Sequence, residues 1–237
     1  CVTAQHRDML DQVLNLFEIT PDEDMDLMQP NQSLHQLTAR MIAGLEPIFK
    51  KYQPEAVLVH GDTTTCLASS LAAFYAGIPV GHVEAGLRTY DLKAPFPEEG
   101  NRQLTDRISQ WAFAPTERSA EVLRQEHLPQ TQIHVTGNTV IDALLWMRDR
   151  LPTLEKNHTV YGSASRIVDD PTVPILLVTG HRRESFGDGF LNICLALKSI
   201  AERYPNLHIV YPVHLNPNVQ EPVYRLLSNV ENIHLIA

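Results

Sequence analysis

The alternation of short apolar runs with longer amphipathic stretches constrains the fold of this chain more than any other feature. The apolar runs, bounded by turn residues, lie at 56–60, 78–84, 111–114, 133–136, 174–179, 207–211 and 233–237. Helix-like stretches lie between them at about 66–75, 116–126, 139–150 and 190–203. Parallel strands are apolar throughout because helices cover both faces of their sheet. The pattern therefore predicts an α/β fold with parallel sheets.

One stretch, 151–173, interrupts this rhythm with proline, glycine, serine and aspartate and little apolar periodicity. Such composition is typical of a boundary, so we expect an N-terminal domain at 1–150, a linker at 151–173 and a second domain from 174 to 237. Both ends of the chain read like strands. We therefore expect the first strand of the first domain, and much of the second domain, to lie outside the sequence. In the helix at 139–150, we expect Ile141, Leu144 and Leu145 to face inward.

Composition narrows the class of protein. Hydrophobic residues make up 43% and charged residues 20%, which excludes a disordered chain, and no run approaches the ~18 apolar residues of a membrane helix. The net charge of -9 argues against general affinity for nucleic acid or anionic lipid, so any anionic ligand must be met by local cations. Three cysteines without a CxxC pair are typical of a cytoplasmic protein with reduced thiols.

Candidate functional residues follow the apolar runs, because ligands of open parallel sheets bind beyond the carboxyl ends of the strands. These residues are Asp62, Glu84, Asn138, His181, Arg182, Arg183, Glu184 and His214. Asp62 could instead cap a helix, Glu84 could pair with Arg88, and His214 could be structural. The histidines form no metal-like cluster, and GxGxxG, Walker A and HExxH motifs are absent. No metal or nucleotide cofactor is expected.

Two of the sequence patterns suggest specific chemistry. His181 to Glu184 come between a strand and a helix, where guanidinium groups and backbone N–H groups suit a phosphate or diphosphate; a solvated loop is the alternative. Pro97 precedes a helix on which Glu98 and Arg102 share a face. As a plain surface pair they would contribute only ~0.2–0.5 kcal/mol.

Seven blocks of sequence, in this order, resemble the bacterial non-hydrolysing UDP-N-acetylglucosamine 2-epimerases. They lie at 2–7, 59–65, 81–89, 97–102, 135–139, 180–184 and 211–217. The resemblance implies a GT-B fold, in which two Rossmann-like domains enclose an interdomain cleft, in a homodimer that uses no NAD or metal. It also implies interconversion of UDP-N-acetylglucosamine and UDP-N-acetylmannosamine for surface polysaccharide synthesis. A hydrolysing epimerase, a GT-B glycosyltransferase and a non-catalytic nucleotide-sugar-binding protein are the alternatives.

The resemblance also assigns residues. By motif, Asp62, Glu84, Glu98 and His181 would be the acid, base and binding groups of the active site, with Arg102 supporting Glu98. Arg182 and Arg183 would lie near the UDP, and Glu184, His214 and Asn138 would bind substrate. A second UDP-N-acetylglucosamine would bind as activator near Gln5, His6 and Arg7. Asp8 and Asn31 differ from some activated members, which argues against strong activation. Family segments that contact UDP lie outside this sequence, so the chain alone is expected to be inactive.

Overall fold

The computed structural model describes residues 1–4, 7–29, 32–153, 158–180 and 187–236 and separates the chain into two compact units, Cys1–Arg148 and Asp149–Ala237. The helices are α1 Arg7–Leu16, α2 Leu34–Tyr52, α3 Thr64–Tyr75, α4 Glu98–Ile108, α5 Glu117–Gln125, α6 Thr139–Arg150, α7 Asp188–Arg203 and α8 Pro217–Leu227. The strands are β1 Val57–His60, β2 Val80–Val83, β3 Trp111–Ala114, β4 Ile133–Val135, β5 Ile175–Leu177, β6 His208–Pro212 and β7 Ile233–Ile236. The predicted α/β fold with parallel sheets is confirmed.

The first unit is built on a sheet of four parallel strands in the order β1-β2-β3-β4. Spatial order follows chain order, so each connection is a helix or loop that crosses over the sheet. The strands are short, and the carboxyl ends of all four lie at one edge. Any residues that follow these strands are therefore brought together at that edge.

The second unit contains a parallel sheet in the order β5-β6-β7 with α7 and α8 packed against it. Its core includes Phe190, Ile209 and Tyr211, all of which are buried. Part of the sequence expected to be a linker belongs to this unit, since the Ser163 hydroxyl lies 2.9 Å from Nδ1 of His234 on β7.

Helix α6 differs from its sequence-based prediction. Ile141, Leu144 and Leu145, which the pattern placed inward, are all exposed, and among the described residues α6 buries no side chain. The helix follows β4, which lies at an edge of the sheet and, among the described strands, has a neighbouring strand on one side only. An edge strand offers a helix less sheet surface to pack against. Trp146 stacks on Phe17 at 4.7 Å between ring centroids.

An apolar groove of about 780 Å³ runs along the outer side of β1. It is lined by Cys1–Ala4, by β1 and by Leu45 and Phe49 of α2. Leu58 is 68% exposed there. Among the described strands β1 pairs only with β2, so none of them covers its other edge. In the described ranges, no helix has the length and apolar character needed to cross a bilayer.

Candidate active site

Asp62 is the first candidate acid at the carboxyl edge of the four-stranded sheet. It follows β1 and Gly61, and its carboxylate forms an ion pair with Arg102 at 2.5 Å. Its backbone carbonyl accepts a hydrogen bond from the Asn101 amide at 2.9 Å. The alternative that Asp62 caps α3 is wrong, because the Thr63 hydroxyl accepts from the Cys66 N–H in that role. The Asp62 carboxylate is thus not used as a helix cap and is joined to α4 through Arg102.

Glu84 is the second candidate, and it lies directly after β2. Its backbone N–H donates to the Phe113 carbonyl at 3.1 Å. Its carboxylate accepts a hydrogen bond from the Asn138 amide at 3.1 Å and lies 4.0 Å from Nε2 of His60. The alternative in which Glu84 pairs with Arg88 is wrong, since Arg88 pairs with other carboxylates. The ends of β1, β2 and β4 therefore meet around a carboxylate that is 24% exposed.

The backbone at Glu84 has a φ of +72°, in the left-handed region. This conformation costs a non-glycine residue about 1–2 kcal/mol. We expect Glu84→Gly to be more stable than Glu84→Ala by about 1 kcal/mol, because both variants lose the carboxylate and only glycine relieves the strain. Urea unfolding of the complete protein measures the difference. Equal stabilities would show that no strain is stored at this position.

Two adjacent glutamates begin α4 and occupy different environments. The side chain of Glu99 is 0% exposed and accepts hydrogen bonds from the N–H groups of Thr89 and Tyr90, at 3.0 and 3.1 Å, and from Gln103 at 2.8 Å. Burial alone would raise the pKa of Glu99, but these bonds and the Arg102 charge outweigh it and lower the pKa. The Glu98 side chain is partly exposed and makes no hydrogen bond or ion pair with a described residue.

The prediction that Arg102 supports Glu98 is therefore corrected. The guanidinium of Arg102 contacts Asp62 at 2.5 Å and Glu99 at 3.6 Å instead. The helical spacing of Glu98 and Arg102 allows a pair, but the Glu99 carboxylate is buried, where attraction between charges is stronger, and Asp62 lies within contact of the same guanidinium. Arg102 thus links the end of β1 to the start of α4.

A buried charge cluster beneath the site was not predicted from the sequence. His82 on β2 contacts Asp106 of α4 at 2.6 Å through Nδ1 and the Gly61 carbonyl at 2.7 Å through Nε2. Arg88 reaches Asp106 and Glu126, each at 2.7 Å. The sequence contains one sign of this cluster, a histidine within an otherwise apolar strand. Asp106 lies 24 residues from His82, and Glu126 lies 38 residues from Arg88.

The surroundings of His82 favour its charged form. Burial alone would lower the pKa of His82, but its contacts with Asp106, together with the nearby Cys66 sulfur, outweigh burial and raise the pKa to about 10. Both ring nitrogens face acceptors, which agrees with an imidazolium that donates at both positions. Burial likewise opposes the charge of Arg88, whereas Glu126 and Asp106 raise its pKa.

The raised pKa of His82 predicts a dependence of stability on pH. An unfolded histidine titrates near pH 6.5, so between about pH 6.5 and about pH 10 the folded state binds the extra proton. The stabilisation is complete below about pH 6.5 and is lost as the pH rises toward about 10. Urea unfolding across this window should show the free energy of unfolding falling more steeply in wild type than in His82→Asn. Parallel slopes would contradict a charged His82.

The other predicted site residues belong to other elements or lie outside the described ranges. His214 follows β6 in the second unit, and its Nδ1 accepts a hydrogen bond from the Asn216 N–H at 3.0 Å. Arg7 forms ion pairs with Asp11, Asp24 and Asp26. The predicted residues that lie outside the described ranges are Gln5, His6, Asn31, His181, Arg182, Arg183 and Glu184. Within those ranges, no group of three or more histidine, cysteine or acidic residues could hold a metal ion.

Comparison with known proteins places this geometry in a family. The sequence model described as UDP-N-acetylglucosamine 2-epimerase matches residues 1–237. The chain is 57% identical to the Yersinia pestis UDP-N-acetylglucosamine 2-epimerase over 240 residues and 56% identical to that of Escherichia coli K12 over 236 residues. It covers 62% of each of these relatives, and they cover 100% of the chain.

A solved structure agrees with the sequence comparison. The crystal structure of the Neisseria meningitidis UDP-GlcNAc 2-epimerase bound to UDP-GlcNAc matches with a TM-score of 0.92 and 51% identity. The match covers 100% of this chain and 63% of that one. This similarity confirms the predicted GT-B-like class. With residue blocks, fold and sequence in agreement over its whole length, the chain belongs to the UDP-N-acetylglucosamine 2-epimerase family.

Proposed function

We propose that the complete protein carrying this sequence interconverts UDP-N-acetylglucosamine and UDP-N-acetylmannosamine without hydrolysis. The observation that carries the proposal is the placement of Asp62 and Glu84 at neighbouring strand ends, within a chain of this family. Glu98 begins the helix whose Arg102 reaches Asp62. The Neisseria relative binds UDP-GlcNAc, which supports the same substrate here.

The reaction must invert a carbon whose hydrogen is hard to remove. C2 of the sugar is not adjacent to a carbonyl, so its simple deprotonation gives no stabilised anion. In an elimination, a base takes the C2 proton, the C–H electrons form the C1–C2 double bond, and the C1–O bond breaks. UDP leaves with the electron pair of the broken C1–O bond, and a 2-acetamidoglucal remains. Addition of the UDP oxygen to C1 and of a proton to the opposite face of C2 completes the inversion.

The carboxylates and the cationic side chains have different roles in this reaction. Glu84 and Glu98 are the candidates for moving the C2 proton, and Asp62, held by Arg102, stabilises positive charge that develops at C1. His181, Arg182 and Arg183 would hold the departing diphosphate. Glu184, Asn138 and His214 would bind the rest of the substrate. The sequence of bond changes is redox-neutral, so no electron carrier is required.

The proposal extends to partners and location. We expect a cytoplasmic homodimer whose product feeds bacterial surface polysaccharide synthesis. A second UDP-N-acetylglucosamine would bind near Gln5, His6 and Arg7 as activator. An anion there would compete with the carboxylates of Asp11 and Asp24, which already hold the Arg7 guanidinium at 2.9 and 2.7 Å. Weak activation follows from this competition.

Incubating the complete protein with UDP-N-acetylglucosamine in D2O tests the function. We expect a mixture of the two UDP-sugars with deuterium at C2, in wild type and in the surface control Glu121→Gln. Free sugar plus UDP would indicate a hydrolysing epimerase, and transfer of the sugar to an acceptor would indicate a glycosyltransferase. Binding without turnover would indicate a non-catalytic protein, and turnover without deuterium at C2 would exclude the elimination route.

A further inference from the structure

We propose that His82 is a positioning residue that fixes Asp62 relative to Glu84 through Asp106. The inference rests on the proposed function, in which both carboxylates act on one substrate. His82 lies beneath the site and does not itself need to touch substrate. Its role follows from the two loops to which its ring connects.

The first connection runs from His82 to the loop of Asp62. Nε2 of the ring donates to the Gly61 carbonyl at 2.7 Å, one residue before Asp62. The Cys66 sulfur lies 3.2 Å from the same carbonyl. Gly61 has a φ of +76°, so the chain turns sharply here as it leaves β1. The imidazole therefore fixes the carbonyl at the turn that aims Asp62.

The second connection runs through Asp106 to the loop of Glu84. Nδ1 of His82 donates to one oxygen of Asp106 at 2.6 Å, and the other oxygen accepts from the Gly86 N–H at 3.2 Å. Gly86 packs closely against α5, since a Cβ built there would lie 2.3 Å from the Ser119 carbonyl oxygen. The network thus ends two residues after Glu84, on a backbone that is packed from the other side.

The composition of the cluster argues for a geometric role. His82 and Arg88 contribute two positive charges, and Asp106 and Glu126 contribute two negative charges, so the group is neutral. Apolar residues of similar volume often stabilise a core as well as a buried ionic group does. A buried polar network with every member satisfied holds one arrangement more rigidly. Here both ends of the network lie beside candidate catalytic residues, where a displacement of about 1 Å can cost roughly 10²-fold in rate.

Two substitutions separate the connections of His82. The amide of glutamine in His82→Gln can reach the place of Nε2 and keep the bond to Gly61. The amide in His82→Asn can reach the place of Nδ1 and keep the bond to Asp106. His82→Asn loses the bond to Gly61, beside Asp62, and we expect its kcat for C2 exchange to fall about 10²-fold with KM little changed. His82→Gln keeps that bond, so we expect its kcat to fall less. Val80→Ala, a buried apolar change on the same strand, is the control for lost stability alone.

Two results of the kcat measurements would overturn the inference. One is a folded His82→Asn protein with the kcat of wild type. The other is a loss of kcat that only follows the folded fraction, as in Val80→Ala. If the His82 variants do not fold, the near-isosteric Asp106→Asn takes their place, and we expect it to lower kcat with KM little changed.

Hydrogen exchange tests the connection without any enzyme assay. Asp106→Asn, which does not touch Gly61, should speed amide exchange at residues 61–63 if the two loops are joined through His82. Unchanged exchange there overturns the inference whatever the activity. If wild type shows no turnover, the proposed function fails while this measurement still decides whether His82 joins the loops.

Discussion

Glu98→Gln should slow C2 exchange by about 10²–10⁴-fold and leave folding unchanged, whereas Glu99→Gln should destabilise the protein and lower turnover far less. The Glu98 side chain makes no hydrogen bond or ion pair with the described residues, so the free energy of unfolding of Glu98→Gln should differ from that of wild type by less than about 0.5 kcal/mol. Loss of an acid or base that moves the C2 proton should lower kcat by about 10²–10⁴-fold. The two variants are matched, because they lie side by side on α4 and make the same chemical change.

The expected cost at Glu99 comes from its buried acceptors. Its two oxygens receive N–H groups from Thr89, Tyr90 and Gln103, and a glutamine would place an amide where one oxygen accepts. A buried donor left without an acceptor costs about 1–3 kcal/mol, and the nearby Arg102 also loses a charge partner. Deuterium exchange at C2 and thermal unfolding give both readouts. Full exchange in Glu98→Gln, or unchanged stability in Glu99→Gln, would contradict the assignment.

The largest loss of stability is expected from Arg88→Met. The Arg88 side chain is 1% exposed and donates to both oxygens of Glu126, at 2.8 and 2.7 Å, while also pairing with Asp106 at 2.7 Å. Removing one partner of a buried ion pair costs about 3–5 kcal/mol, because the remaining charge stays buried. Arg88→Lys should recover part of this, since lysine keeps the charge without the planar fork.

Glu126→Gln provides the control for Arg88→Met. The Glu126 side chain is 30% exposed, so water can replace much of the lost interaction and the cost should be nearer about 1 kcal/mol. Urea unfolding of the complete protein measures all of these variants. An Arg88→Met protein as stable as wild type would show that the cluster does not stabilise the fold.

The sheet edge that carries Asp62, Glu84 and Asn138 was predictable from the sequence. Each of these residues follows an apolar run, and parallel strands bring their carboxyl ends to one side. The bounds of β3 and α5 agree closely with the apolar run at 111–114 and the helix-like stretch at 116–126. Local pattern was sufficient there because hydrophobic burial determines both features.

Helix α2 begins with a local signal that is separate from the apolar runs. The Ser33 hydroxyl accepts from the Gln36 N–H and the Gln36 side chain accepts from the Ser33 N–H, which forms a capping box. The buried residues Leu37, Met41 and Leu45 then recur every four residues. Pro47 inside the helix obscures the pattern in the sequence.

The partners of the buried charges could not be predicted in this way. Arg102 selects Asp62, 40 residues earlier in the sequence, over Glu98 on its own helix. Asp106 lies 24 residues after His82 and has no distinguishing neighbours. These choices depend on the packing of α4 against the sheet and on the exclusion of water, which no periodicity records.

The exposed edge of β1 affects how residues 1–237 should behave in solution when they are produced alone. Among the described strands only β2 pairs with β1, and Leu58 on β1 is 68% exposed. An exposed strand edge of this kind can pair with another extended chain. We therefore expect residues 1–237 to self-associate through this edge, and in size-exclusion chromatography to elute as particles larger than the single chain. Enzymology is therefore best carried out with the entire gene product.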